Sequence, residues 1–104
     1  MKSTIVVEAT ISLLATDQGG KTRLITQGYR PNHNFGGPAD RDMFIGQIEL
    51  KKDEFLHPGE ARDLLVTFLN VPELREKLTV GRSWRLQEGQ ELVGYGKVKR
   101  VVDE

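Results

Sequence analysis

A strict alternation of apolar and polar side chains near the amino terminus constrains the fold of this chain most. Val7, Ala9, Ile11 and Leu13 are apolar, whereas the residues between them are polar. Because successive side chains of a β-strand point to opposite faces, this period of two predicts a strand with one buried face. Residues 44–50 alternate in the same way and predict a second half-buried strand.

Turn-forming residues divide the rest of the chain. Asp, Gln and two glycines at 17–20 predict a hairpin turn, with residues 21–27 as the strand that returns alongside the first. The sequence His-Pro-Gly-Glu at 57–60 fits a type II turn, because proline presets φ at its second position and glycine tolerates the positive φ of its third. Further loops are predicted at 36–40 and 51–54.

Three more segments complete the predicted architecture. Residues 61–69 are a strand-like apolar run, and 83–87 with 91–102 form a final hairpin around Gly89. Residues 70–77 are a loop or one helical turn that begins at the proline. Several strands with regularly spaced turns and almost no helix signal predict an all-β fold, a small antiparallel β-barrel of about six strands.

Length and composition limit the classes of function. The 104 residues suit a single domain, 1–104, with one modest core. Fifteen basic residues balance fifteen acidic ones, whereas strong nonspecific binding to nucleic acid or anionic membranes usually needs a basic excess. The absence of cysteine excludes a disulfide framework and a thiol nucleophile. The apolar run at the amino terminus is short and breaks at Glu8, so we expect a cytoplasmic protein with neither a signal peptide nor a membrane span.

No motif in the sequence argues for catalysis. Gly19-Gly20-Lys21-Thr22 imitates the end of a phosphate-binding P-loop, but the full pattern needs glycine at Ala15 and a helix afterwards, where a strand is predicted. A hairpin turn is therefore the favoured interpretation. The serines lack a nucleophile-elbow context, and the spacing of the carboxylates favours no acid–base pair. We expect no enzymatic activity, no cofactor and no bound nucleotide.

The sequence predicts no metal site either. Its two histidines are His33 and His57, and a zinc site normally needs three or four ligands. His33 could join Asp40 and Asp42 in space, but ordinary surface histidines are the favoured interpretation. The Asp40-Arg41-Asp42 sequence lacks EF-hand spacing and is better explained by local hydrogen bonds that close a loop.

The segment that follows residue 27 carries groups suited to recognition. Tyr29, Arg30, His33 and Phe35 combine stacking surfaces with a guanidinium, which can meet a phosphate, a base or a carboxylate. The alternative is that Tyr29 and Phe35 pack into the barrel while Arg30 forms an internal salt bridge. A basic cluster at 97–100 is either a second recognition patch or a solvated strand edge that prevents aggregation.

Several short motifs are spread over nearly the whole chain. They are Glu8-Ala9, the run from Leu13 to Lys21, Gly28-Tyr29-Arg30-Pro31, the run from Gly46 to Leu50, Pro58-Gly59-Glu60, the apolar strand through Phe68, Glu88-Gly89, and the run from Val93 to Val98. In this order and spacing they resemble the third domain of elongation factor Tu, the GTPase that delivers aminoacyl-tRNA to ribosomes.

The resemblance implies a small antiparallel β-barrel without a nucleotide site, because GTP binds to a different domain in that family. The family's third domain touches the T stem of tRNA, packs against the GTPase domain and meets the exchange factor Ts. Gly28 to Pro31 match the family motif as written, and Gly89 matches the glycine of a turn that lies near the tRNA backbone. The residues that follow Pro31 depart from the family pattern on its RNA-facing side.

Two functions remain open on these grounds. The first is a non-catalytic binding module of translation-factor type that contacts a protein partner related to the translation machinery, which the neutral net charge and the departures from the family pattern favour. The second is a weak tRNA- or RNA-binding module that uses a local basic patch. The predicted binding residues are Tyr29, Arg30, His33, Arg41, Gly89 and Lys97.

Overall fold

Strand β1 (Thr4–Leu13) is the strand predicted from the amino-terminal alternation, and every second side chain from Ile5 to Leu13 is buried. The computed structural model describes residues 3–18 and 24–103 of the chain. β1 is followed by a short 3-10 helix (Thr16–Gln18) and later by strand β2 (Asn32–Asn34). The remaining elements are β3 (Phe44–Glu49), β4 (Ala61–Leu69), α1 (Pro72–Arg75), β5 (Ser83–Glu88) and β6 (Glu91–Asp103).

The six strands close into an antiparallel barrel in the order β1-β4-β3-β2-β5-β6, which confirms the predicted fold class. β1 pairs with β4 on one side and with β6 on the other, so the first and last strands close the barrel. Inward side chains of β1, β3, β4, β5 and β6 form one apolar core, whereas the buried residues of β2 are polar. No helix among the described residues is long and apolar enough to cross a membrane.

Most of the predicted turns and strands are confirmed. β4 has the bounds expected from the sequence, and α1 is a single turn with its proline at the first position. In the predicted type II turn, the Glu60 amide donates to the His57 carbonyl at 3.0 Å and Gly59 has φ of 87°. The final hairpin turns at Gly89, whose φ of 59° explains why glycine is favoured there.

The predicted hairpin between β1 and residues 21–27 is wrong where the structure describes that segment. Residues 24–27 contribute one isolated bridge, in which Ile25 and Leu56 exchange backbone hydrogen bonds of 2.8 and 3.0 Å. The physical reason is that both edges of β1 are already paired, with β4 and with β6. The P-loop-like residues Gly19 to Thr22 lie outside the described residues.

Candidate functional site

His33 is a core residue of the barrel, and the expectation of a surface histidine is wrong at this position. Its side chain is fully buried on β2 and meets the ring of Phe68 edge to face at 4.8 Å. The Trp84 indole Nε1 donates to His33 Nδ1 at 3.0 Å, and His33 Nε2 lies 3.0 Å from the Gly46 carbonyl oxygen. Because an indole only donates and a carbonyl only accepts, His33 is neutral with its hydrogen on Nε2.

This arrangement places His33, one of the predicted binding residues, inside the barrel and away from the disfavoured grouping with Asp40 and Asp42. Both ring nitrogens are used inside the barrel, so His33 neither faces a partner nor joins Asp40 and Asp42 at a metal. Within residues 3–18 and 24–103, no three His, Asp or Glu side chains are placed to hold a metal ion together. Asp40 instead accepts the Asp42 amide at 2.8 Å, as predicted for a local loop closure.

Asn34 organises the loop that follows β2. Its Oδ1 accepts the amides of Gly36 and Gly37 at 2.8 and 3.2 Å, and its Nδ2 donates to the Gly37 carbonyl at 2.7 Å. The same Nδ2 donates to Gln87 Oε1 at 2.8 Å, which ties the loop to β5. Asn34 and Gln87 are buried, so their mutual satisfaction is needed for stability. These hydrogen bonds therefore hold the loop in one defined conformation.

Phe35 anchors the start of this loop in the core. Its ring stacks on that of Trp84 at 5.0 Å with 17° between the planes, and it meets Phe44 edge to face at 5.8 Å. The Arg82 guanidinium lies 5.7 Å from the Phe35 ring centroid, and Arg82 Nη2 donates to the Phe35 carbonyl at 2.9 Å. The packing alternative considered for Phe35 is thus confirmed.

The anchored loop, the ends of β3 and β4 and the helix α1 enclose an open groove of about 640 Å³. Its apolar lining includes Ile45, of which 58% is exposed, and Leu69, of which 46% is exposed. Its charged lining consists of Asp40, Arg41, Asp42, Glu73 and Lys77. We call this concavity the groove. Large apolar side chains are exposed here between charges of both signs, a composition that suits contact with another protein.

Tyr29 and Arg30 precede β2 and take different positions. Tyr29 packs against the core and its hydroxyl donates to Glu88 Oε2 at 2.6 Å. Burial, with the neighbouring Glu88 carboxylate adding to it, raises the pKa of the Tyr29 hydroxyl well above its ordinary value. Arg30 is exposed and forms no ion pair within the part of the chain that the structure describes, so the predicted internal salt bridge is wrong.

The other predicted binding residues do not gather into one site. Arg41 is exposed at the groove, and Gly89 lies in the β5–β6 turn. Lys97 is exposed on β6, six residues beyond Glu91, which is roughly 20 Å of strand from the turn. The groove could not be predicted from the sequence, because its apolar side chains come from separate strands and loops. An exposed Ile or Leu looks the same in a sequence as a buried one.

The basic cluster at 97–100 is largely neutralised within the barrel. Lys99 Nζ lies 2.7 Å from Asp63 Oδ2, and Arg100 Nε lies 2.8 Å from Glu8 Oε1. Hydrogen bonds from Lys99, then from Thr10, lower the pKa of the Asp63 carboxyl. The local basic patch proposed for RNA is therefore weaker than the sequence suggests.

No model of a known protein family matches this chain.

Proposed function

We propose that this chain is a non-catalytic binding module that holds a segment of a protein partner in the groove. The observation that carries the proposal is the exposure of Ile45 and Leu69 in the lining of a concavity to which Glu73 of α1 also belongs. Burying such side chains against a partner supplies a driving force of roughly 25 cal/mol per Å² of apolar surface.

The charges around the groove favour a protein over RNA. Two cations line the groove, together with three carboxylates: Arg41 and Lys77, and Asp40, Asp42 and Glu73. Phosphate groups would meet repulsion from these carboxylates, while a peptide with charges of both signs can pair with the cations and with the carboxylates. The expected occupant is therefore a peptide segment with apolar side chains flanked by acidic and basic residues.

The identity of the partner is proposed from the sequence alone. The motifs shared with the third domain of elongation factor Tu support a partner related to the translation machinery and a cytoplasmic site of action. The closed six-stranded barrel supports this proposal only at the level of architecture, since one fold hosts many functions.

The test is capture followed by affinity measurement. Protein immobilised from the wild type is used to capture partners from a cell lysate, and the captured protein is purified and titrated calorimetrically. The double variant Arg41→Glu, Lys77→Glu reverses both cations of the groove and should weaken that affinity by about tenfold or more. Lys52→Glu, in the exposed turn before β4, is the matched control and should stay within about twofold of the wild type.

Equal affinities of the groove variant and the wild type would refute the proposed site. The RNA alternative is tested on the same proteins by gel mobility of purified tRNA at low and high salt. A tRNA complex that weakens steeply with salt would replace the protein-partner proposal with the RNA one.

A further inference from the structure

An uncharged patch lies on the outside of the barrel, where the start of β1, the end of β4 and the start of β3 are neighbours. In the strand register, Thr67 lies between Val6 and Gln47, and Leu65 lies between Glu8 and Glu49. Of the apolar side chains, Ile45, Leu65 and Leu69 are exposed. We define the outer face by these outward side chains: Val6, Ile45, Gln47, Leu65, Thr67 and Leu69. It meets the groove only along Ile45 and Leu69.

A cation and an anion that have no ion-pair partner among the described residues border the outer face. The Ile48 amide donates to the Tyr29 carbonyl at 3.0 Å, and Asn32 pairs with Ile45, so the intervening backbone runs antiparallel beside β3 and sets Arg30 level with Gln47. Both Arg30 and Glu49 line the shallow hollow on this face.

Neither charge is neutralised among the described residues. Arg30 has no carboxylate partner there, and Glu49 accepts a hydrogen bond of 3.0 Å only from the neutral amide of Gln47. Glu8 of β1, by contrast, is neutralised by an ion pair with Arg100 of β6. The outer face thus combines exposed apolar side chains with a cation and an anion that are both available.

We infer that a second copy of this chain covers the outer face in a two-fold symmetric dimer, with Arg30 of each copy paired to Glu49 of the other. A surface that offers one cation and one anion is complementary to itself, which a two-fold interface requires. A two-fold axis that lies between the faces and crosses the strands diagonally, over Leu69 and Gln47, brings each Arg30 onto the opposite Glu49. The two sheets then cross at a steep angle, one of the two ways in which sheets pack face to face.

The dimer is expected to be weak. The outer face spans three strands, roughly 14 Å at the usual strand spacing, so it lies at the small end of specific interfaces. Association should therefore depend on concentration and fall in the micromolar range.

Sedimentation velocity over a wide concentration range tests the dimer. The wild type should move from monomer towards twice the monomer mass of 11.7 kDa as concentration rises. Thr67→Arg places a cation at the centre of the outer face and should leave a folded monomer, with the fold checked by circular dichroism. Lys97→Glu, on the outside of β6, is the control and should dimerise as the wild type does.

Charge reversal gives a test that does not depend on Thr67. Arg30→Glu and Glu49→Arg should each weaken self-association by about tenfold, because each dimer contains the pair twice. An equimolar mixture of the two variants should restore a dimer, since opposite charges face each other again. A wild type that stays monomeric, a Thr67→Arg variant that dimerises normally, or a mixture without recovery would overturn the inference.

The dimer and the proposed partner would both cover Ile45 and Leu69, so they are tested with variants at residues that only one of them uses. Lys77 lines the groove and Thr67 does not. Lys77→Glu should retain the dimer whether or not it binds the captured partner, so loss of one property does not report on the other.

Discussion

At the scale of single residues, His33 shows how a titratable side chain is held inside an apolar barrel. Burial lowers its pKa from 6.5 to about 4, because the charged ring would lose its hydration, while the hydrogen bond to the Gly46 carbonyl acts in the opposite direction. The indole of Trp84 also opposes protonation, since its N–H already occupies Nδ1. Gly46 fits this site because a Cβ there would lie 2.8 Å from Phe68 and 3.0 Å from His33.

The buried neutral His33 predicts a loss of stability in mild acid. Its pKa is lower in the folded protein than in the unfolded chain, so the unfolded chain binds more protons between pH 6.5 and 4. The stabilisation that neutral His33 provides is complete above about pH 6.5 and declines as the pH falls towards 4. Between pH 7.5 and 5.5 it should lower the free energy of unfolding by about 1.4 kcal/mol, measured by urea denaturation.

Two variants isolate the contribution of His33. His33→Gln should lack this part of the pH dependence, whatever its absolute stability. His57→Gln changes an exposed histidine and leaves His33 in place, so it should keep the wild-type difference between the two pH values. A His33→Gln protein with the full wild-type difference would show that the pH dependence arises elsewhere.

At the scale of elements, β5 and β6 fit together because a glycine faces a tryptophan. Trp84 and Gly96 are directly opposite in the register of the two strands. A Cβ at Gly96 would overlap the six-membered ring of Trp84, so the glycine creates the space that the indole occupies. The same indole supports both Phe35 and His33, which connects this strand pair to the loop beside the groove.

Replacing Gly96 by alanine is therefore expected to destabilise the barrel. The added methyl group must displace the buried Trp84 ring, and overpacking of a core costs about 1–3 kcal/mol. Chemical denaturation followed by tryptophan fluorescence measures this loss. Lys97→Ala, at the exposed neighbouring position, should change the free energy of unfolding by no more than about 0.5 kcal/mol. Equal stabilities of the two variants would contradict the proposed role of Gly96.

The elements differ in how far the sequence predicts them. Strands with regular alternation, such as β1 and β4, were predictable because one face of each meets the core along its whole length. β2 was not, because Asn32–Asn34 is polar and its burial depends on partners far away in sequence. One sequence signal for β2 was present, because Pro31, His33 and Phe35 occupy every second position and all three side chains are buried. The hairpin after β1 was predicted wrongly because turn residues do not reveal that later strands take both edges.

The binding residues were less predictable than the strands. Residue types identified Tyr29, Arg30 and His33 as candidates, but only distances show that His33 is consumed by internal hydrogen bonds while Arg30 is exposed. The groove depends on which side chains remain uncovered after the barrel closes. That property belongs to the tertiary arrangement and has no local pattern in the chain.

At the scale of the whole molecule, the barrel is paired unevenly around its circumference. β1 pairs with β4 over nine residues and with β6 over eight, so its backbone is held on both sides along nearly its full length. β2 pairs with β3 through two residues and with β5 through three. β2 therefore has the shortest strand pairing in the barrel, and the loop that borders the groove begins at its end.

This unevenness predicts two classes of backbone opening. Hydrogen exchange measured by mass spectrometry should show peptides from β1 and β4 opening only with global unfolding, whereas a peptide spanning residues 28–36 should open with a free energy lower by about 2 kcal/mol. Added urea should accelerate exchange in β1 with the full denaturant slope of unfolding and in residues 28–36 with a smaller one. Equal protection of the two regions would mean that the buried contacts of His33 and Asn34 compensate for the short ladder. If the difference is found, local opening at β2 gives the groove a way to adjust to a partner while β1, β4 and β6 keep the barrel closed.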